Sequence, residues 1–214
     1  MKLVTFEVRT PVGPFRRIGA VLDDELSPEA RVADLTSGYA ARLAEEGEPR
    51  ASEAAEALLP PDMLGYLEGG EAARRRAEQV LELVRQHGSA AGPRGETLVF
   101  RASEVRILSP VPRPRSIRDY STYEEHMSTR RPEKPPVFYH AATCYKGNPE
   151  AVRGPEGPIL YPAYTDWLDP ELELACLVHR RGRNIAIEDA AAHIGGYTVM
   201  VDVSARDLGP KDYL

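Results

Sequence analysis

Asp169-Pro170-Glu171-Leu172-Glu173-Leu174-Ala175-Cys176-Leu177-Val178 alternates polar or small residues with apolar ones. A two-residue period of this kind is the mark of a β-strand. Glu171 and Glu173 then share one face, about 6.5–7 Å apart along the strand. Leu172, Leu174, Cys176 and Val178 take the other face and are expected to be core, with Cys176 a buried thiol. Beyond Glu173 the carboxylate face continues as Ala175 and Leu177, so it too is expected to run into an interior. Two carboxylates aimed into partly buried space repel each other unless a cation or a shared proton compensates. A hard divalent cation held through oxygens meets that need. An edge strand whose glutamates simply face water has the same alternation, and the pattern by itself leaves both readings open.

A second strand-like stretch lies downstream, Tyr197-Thr198-Val199-Met200-Val201-Asp202-Val203-Ser204-Ala205-Arg206-Asp207. Asp202 interrupts a run of Val and Met, where an ionised carboxylate is costly without a partner. Metal ligation is one answer, and a buried pair with Arg206 is the other. Asp207 reads as a residue that holds the following loop together. Upstream, Arg118-Asp119-Tyr120-Ser121-Thr122-Tyr123-Glu124-Glu125-His126 mixes acid, phenol and imidazole. His126 is the best general-base candidate there, because imidazole titrates near neutrality. A surface histidine beside two glutamates is the plainer alternative.

Around these segments the chain divides in character. Strands are expected at 2–9 and 17–22 across the Pro11-Val12-Gly13-Pro14 turn, and helices at 38–46, 51–58, 62–68 and 71–87. Residues 88–95 read as a linker. Twelve of the 19 prolines fall after residue 103, which favours short strands and irregular loops over helices. Strands are expected at 105–108, 136–140, 159–161, 171–178 and 197–204, with one short helix at 188–194. The fold class is therefore α+β and β-rich, with a small α/β unit at 1–103 and a β-rich unit at 104–214.

The 214 residues carry 27 Lys and Arg against 33 Asp and Glu, a formal net charge of −6. That balance argues against a nucleic-acid partner, which calls for a basic stripe. No apolar run approaches the ~18–20 residues of a membrane span, and Met1-Lys2-Leu3-Val4-Thr5-Phe6 leads into strand sequence rather than a signal peptide. Cys144 and Cys176 form no redox or metal spacing. A cytoplasmic location is the expectation.

Taken in order, Arg118-Asp119-Tyr120 through His126, Glu171-Leu172-Glu173, and Asp202-Val203-Ser204-Ala205-Arg206-Asp207 with the preceding Gly196-Tyr197-Thr198 resemble the fumarylacetoacetate hydrolase family. Pro136-Val137-Phe138-Tyr139 and Tyr145-Lys146-Gly147-Asn148 are similar to its substrate-side loop. The resemblance covers residues 104–209 and implies a mixed β-sandwich or β-roll catalytic domain behind an accessory domain. It implies that Glu171, Glu173 and Asp202 bind Mg²⁺ (or Ca²⁺ or Mn²⁺), with Asp119 as the further ligand of the hydrolase branch. It also implies that Tyr139 and Arg206 lie at the substrate site and that His126 activates water. The implied reaction is C–C cleavage of a small 1,3-dicarbonyl or acylpyruvate-type acid, with the metal as Lewis acid. Isomerisation or decarboxylation of a 2-oxo or 2-hydroxy-dienoate in aromatic-compound breakdown is the family's other outcome. A homodimer is implied as well.

Val201 stands where the family commonly has Asn, and Gly209 where Gln is usual. The isomerase branch places Glu three residues after the histidine, where this chain has Thr129. Family members continue well past the third block and supply a carboxylate partner for the histidine there. The expectation is therefore an incomplete chain, or a non-catalytic subunit that works with another.

Overall fold

The Pro11-Val12 turn folds β1 (Leu3–Thr10) back onto β2 (Gly13–Val21), with Thr10 opposite Gly13. Gly13 takes φ +122°, a conformation that L side chains rarely adopt. The computed structural model describes residues 1–88, 91–125, 136–142 and 144–208. Strands β3 (Arg31–Asp34), β4 (Val99–Arg101) and β5 (Arg106–Leu108) complete an antiparallel sheet of order β4-β3-β2-β1-β5.

Four helices follow β3: α1 (Leu35–Glu45), α2 (Ala51–Leu58), α3 (Met63–Glu68) and α4 (Gly70–His87). Asp34 caps α1 through Ser37 N and is itself clamped by Arg17 at 2.7 and 3.0 Å. Asp62 caps α3 through Gly65 N. Both caps satisfy amides that a helix start leaves unpaired. Ile18, Ala20, Ala33 and Leu35 pack with Tyr39, Ala77, Val80 and Val84 in the main core. A hypothetical Cβ on Gly38 would lie 2.4 Å from Val80 Cγ1, so glycine sets the close approach of α1 and α4. Val4, Phe6 and Val32 form a second cluster with Ala102 and Ile107. The expected strands and helices of this region are present. The sequence reading missed β3 and β4, which are four and three residues long and too short to show a period.

Beyond β5 the structure is sparser. Strands β6 (Asp119–Tyr120) and β7 (Cys144–Tyr145) form a two-residue ladder. Strands β8 (Leu168–Val178) and β9 (Ile194–Ala205) form a long antiparallel ribbon, with an irregularity at Leu177/Val178. At its inner end Leu177 packs on the main core. There a Cβ on Gly195 would meet Leu67 Cδ2 at 2.6 Å, and His179 Nδ1 lies 3.3 Å from the Leu67 carbonyl oxygen.

Several expectations for this half are corrected. Leu172 (81% exposed), Leu174, Cys176 and Val178 are exposed rather than core, because no described element is layered on their face of the ribbon. Residues 136–139 form a 3₁₀ turn (Pro136–Tyr139) instead of a strand, as Pro136 has no N–H to give to a ladder. Residues 159–161 are irregular. The expected helix at 188–194 is a 3₁₀ segment (Ile187–His193) without a side-chain cap.

Candidate functional site

In an antiparallel pair, residues directly opposite each other project to the same face. Glu171 stands opposite Asp202, and Glu173 opposite Met200. The register therefore puts Glu171, Glu173 and Asp202 on one face, as the alternation of each strand required. Strand β6 brings Asp119 to the same place from about fifty residues upstream in sequence. One carboxylate oxygen from each of Asp119, Glu173 and Asp202 lies within 4.8 Å of the others, and all three residues are half-buried.

The electrostatics of this cluster are unfavourable as it stands. Burial raises the Glu173 carboxyl above its ordinary range, and the charges of Asp119, Asp202 and Glu171 raise it further. Asp202 is raised too, first by burial and then by Glu171 and Asp119, against the lowering effects of the Val203 backbone and Arg206. Hard carboxylate oxygens so close together, two of them with increased proton affinity, make a donor set that fits a hard divalent cation.

Glu171 is engaged differently. Its Oε1 accepts from Ser204 Oγ at 2.9 Å and pairs with Arg206 Nη2 at 2.9 Å. Arg206 Nε also donates to Asp169 Oδ2 at 2.8 Å. Of the two readings of Asp202, the pair with Arg206 is not formed: the guanidinium bonds Asp169 and Glu171. Asp207 accepts from the Thr165 hydroxyl and from Asp166 N at 2.8 Å. The Thr165 bond is the leading cause of its lowered pKa, and both contacts fit the loop-holding role.

Tyr139 donates to Glu124 Oε1 at 2.8 Å and meets Phe138 edge-on, with ring centroids 5.2 Å apart. It lines an open hollow of about 400 Å³ with Tyr120, Thr122, Phe138 and His140. Tyr120 follows Asp119 directly, so this hollow adjoins the strand that carries one of the clustered carboxylates. His126 lies outside the described residues. Sequence reasoning passed over Ser204 and Asp169. Their signal was parity, since Asp169 faces Ser204 in the same register that sets Glu171 against Asp202.

The profile of the fumarylacetoacetate (FAA) hydrolase C-terminal family matches residues 115–213, the segment that carries the acidic cluster. Over that stretch the chain is similar to the fumarylacetoacetate hydrolase family. Among its relatives, the mitochondrial oxaloacetate tautomerase FAHD2A of Bos taurus is 34% identical over 156 residues, 71% of this chain and 44% of the relative. Oxaloacetate tautomerase YisK of Bacillus subtilis is 28% identical over 158 residues, 70% of this chain and 49% of that one. The chain thus spans about half the length of the curated relatives it matches.

The family fold is also present in solved structures. Maleylpyruvate hydrolase from Sphingobium sp. SYK-6, solved with manganese(II) and pyruvate, superposes with a TM-score of 0.60 at 21% identity. That match covers 97% of this chain and 60% of the hydrolase. A 5-carboxymethyl-2-hydroxymuconate delta-isomerase from Mycobacterium smegmatis superposes with a TM-score of 0.57 at 20% identity, over 99% of this chain and 58% of the isomerase. The mixed, β-rich α+β architecture is the one expected from the sequence. No helix among the described residues is long and apolar enough to cross a membrane.

Proposed function

We propose that this chain is a divalent-metal-dependent enzyme that cleaves a C–C bond in a small 1,3-dicarbonyl or acylpyruvate-type acid. The observation that carries the proposal is the meeting of Asp119 with Glu173 and Asp202, since Asp119 is the ligand that the family resemblance ties to hydrolysis. Asp119, Glu173, Asp202 and Glu171 would hold Mg²⁺, with Mn²⁺ and Ca²⁺ as alternatives that use the same oxygen chemistry. Bound there, the ion supplies Lewis-acid polarisation of a substrate carbonyl.

The chain's own residues have separate tasks. Arg206 offers positive charge to a substrate carboxylate, and the Tyr139 hydroxyl offers a hydrogen bond. His126 takes a proton from the water that adds to the carbonyl. The C–C bond then breaks, and the departing carbon is protonated to give the second acid. Residues 104–214 form the catalytic unit in this reading, with 1–103 as its accessory unit. The working form is a homodimer in the cytoplasm, and aromatic-compound breakdown is the source of substrate.

A second reading, keto–enol tautomerisation of a 2-oxo acid, is favoured by the names of the curated relatives. It uses the same metal and carbonyl but leaves the carbon skeleton whole. The two readings separate in one experiment on the 214-residue chain with Mg²⁺. Hydrolysis converts an acylpyruvate into pyruvate and a second acid, both visible by NMR, and His126→Ala abolishes it. Tautomerisation leaves the acylpyruvate intact and speeds ketonisation of enol oxaloacetate. Activity in neither assay would overturn both and leave a metal-binding subunit.

A further inference from the structure

Glu171 has the register of a metal ligand but the hydrogen bonds of a braced residue. It faces Asp202 across the ribbon and lies two residues from Glu173 on the same face. Its Oε1 receives both Ser204 Oγ and Arg206 Nη2, each at 2.9 Å. The guanidinium is fixed in turn by Asp169, which faces Ser204 in the β8–β9 register. Two donors converge on one oxygen of the carboxylate, and both bonds fall on Oε1. A carboxylate held by one oxygen keeps its second for another partner, and its orientation is set by the donors rather than by free rotation of the side chain.

We propose that Ser204 and the Asp169-braced Arg206 are positioning residues that hold Glu171 by Oε1, so that Oε2 serves as a fourth oxygen donor beside Asp119, Glu173 and Asp202. This rests on the reading that the cluster holds a divalent cation. It assigns tasks to Ser204 and Asp169 that differ from ligation. It also makes the C-terminal end of β9 a support of the metal site, through Ser204 within the strand and Arg206 just past its end at Ala205.

Mn²⁺ binding to the whole chain, followed by the electron paramagnetic resonance signal of the free ion, tests this. Ser204→Ala leaves every charge in place and is expected to weaken Mn²⁺ binding by about tenfold, the ordinary cost of losing a partner behind a metal ligand. Ser204→Thr keeps the hydroxyl and retains wild-type affinity. In a Glu171→Gln background, itself weakened, Ser204→Ala adds nothing further. Asp169→Asn shifts affinity in the same direction as Ser204→Ala, as a second route if that variant folds poorly.

An unchanged affinity in Ser204→Ala would overturn the proposal, and so would an equal loss with and without the Glu171 carboxylate. The latter is what a merely structural bond would give. If Glu171→Gln binds Mn²⁺ as well as wild type, Glu171 is not a donor and the proposal fails alone. If the wild-type chain binds no Mn²⁺, the metal reading itself fails and the proposal with it.

Discussion

The two β structures of this chain start from the same kind of sequence and reach opposite ends. In the N-terminal sheet, the apolar residues of alternating strands are sealed: Phe6 is 0% and Ile18 1% exposed. In the β8–β9 ribbon, Leu172, Leu174, Val199 and Val201 alternate as cleanly, yet Val199 is 68% exposed. The difference is that both faces of the first sheet are covered, the Ile18 face by α1 to α4 and the Phe6 face by the cluster with Ala102 and Ile107, whereas the ribbon's apolar face has no described layer. Alternation specifies two faces; it does not specify what covers either. The ribbon's other face carries the carboxylates, so its two sides present unlike problems, uncovered apolar surface and uncompensated charge.

The largest expected effect lies in the sealed sheet. Phe6→Ala removes a fully buried ring and is expected to cost about 3–5 kcal/mol of unfolding free energy in urea melts. Asp34→Ala comes next, at about 3 kcal/mol, because it leaves Arg17 (15% exposed side chain) without its partner and removes the α1 cap. In the metal-free ribbon the sign reverses. Glu173 and Asp202 have carboxyls raised in the folded state, so the native chain binds protons more tightly than the unfolded chain. Stability therefore falls as pH rises through those raised values and is regained as pH falls toward the ordinary carboxylate range. Glu173→Gln is accordingly expected to be more stable than wild type at pH 7 without metal, with the gap closing near pH ~4. The smallest effect is Leu172→Ala, within about 0.5 kcal/mol. A loss as large as that of Phe6→Ala would mean that the ribbon's apolar face is covered in solution.

Much of the sheet and helix pattern was legible because it is local. Ala73, Ala77, Val80 and Val84 repeat with the helical period, and all four are buried in α4. The shared face of Glu171 and Glu173 was legible for the same reason. The misplaced core at Leu172, Leu174 and Cys176 was not, because burial depends on what other segments do. The position of Asp119 against Glu173 and Asp202 is a long-range contact that no periodicity encodes; only the order of family motifs pointed to it. Asp169, Ser204 and Arg206 were in plain view within two of those motifs. Their joint task emerges only from the register, which places Asp169 opposite Ser204 and Glu171 opposite Asp202.

In the proposed function, a divalent cation bound among Asp119, Glu173 and Asp202 stabilises the acidic face of the ribbon. Thermal unfolding of the 214-residue chain, titrated with Mn²⁺ beside Glu173→Ala and the exposed control Glu188→Ala, tests it most directly. Binding to the native state alone adds about 2.7 kcal/mol at a hundredfold excess over Kd. The unfolding temperature of wild type and Glu188→Ala is expected to rise with Mn²⁺ while that of Glu173→Ala stays flat. An equal rise in all three, or none in wild type, would contradict it.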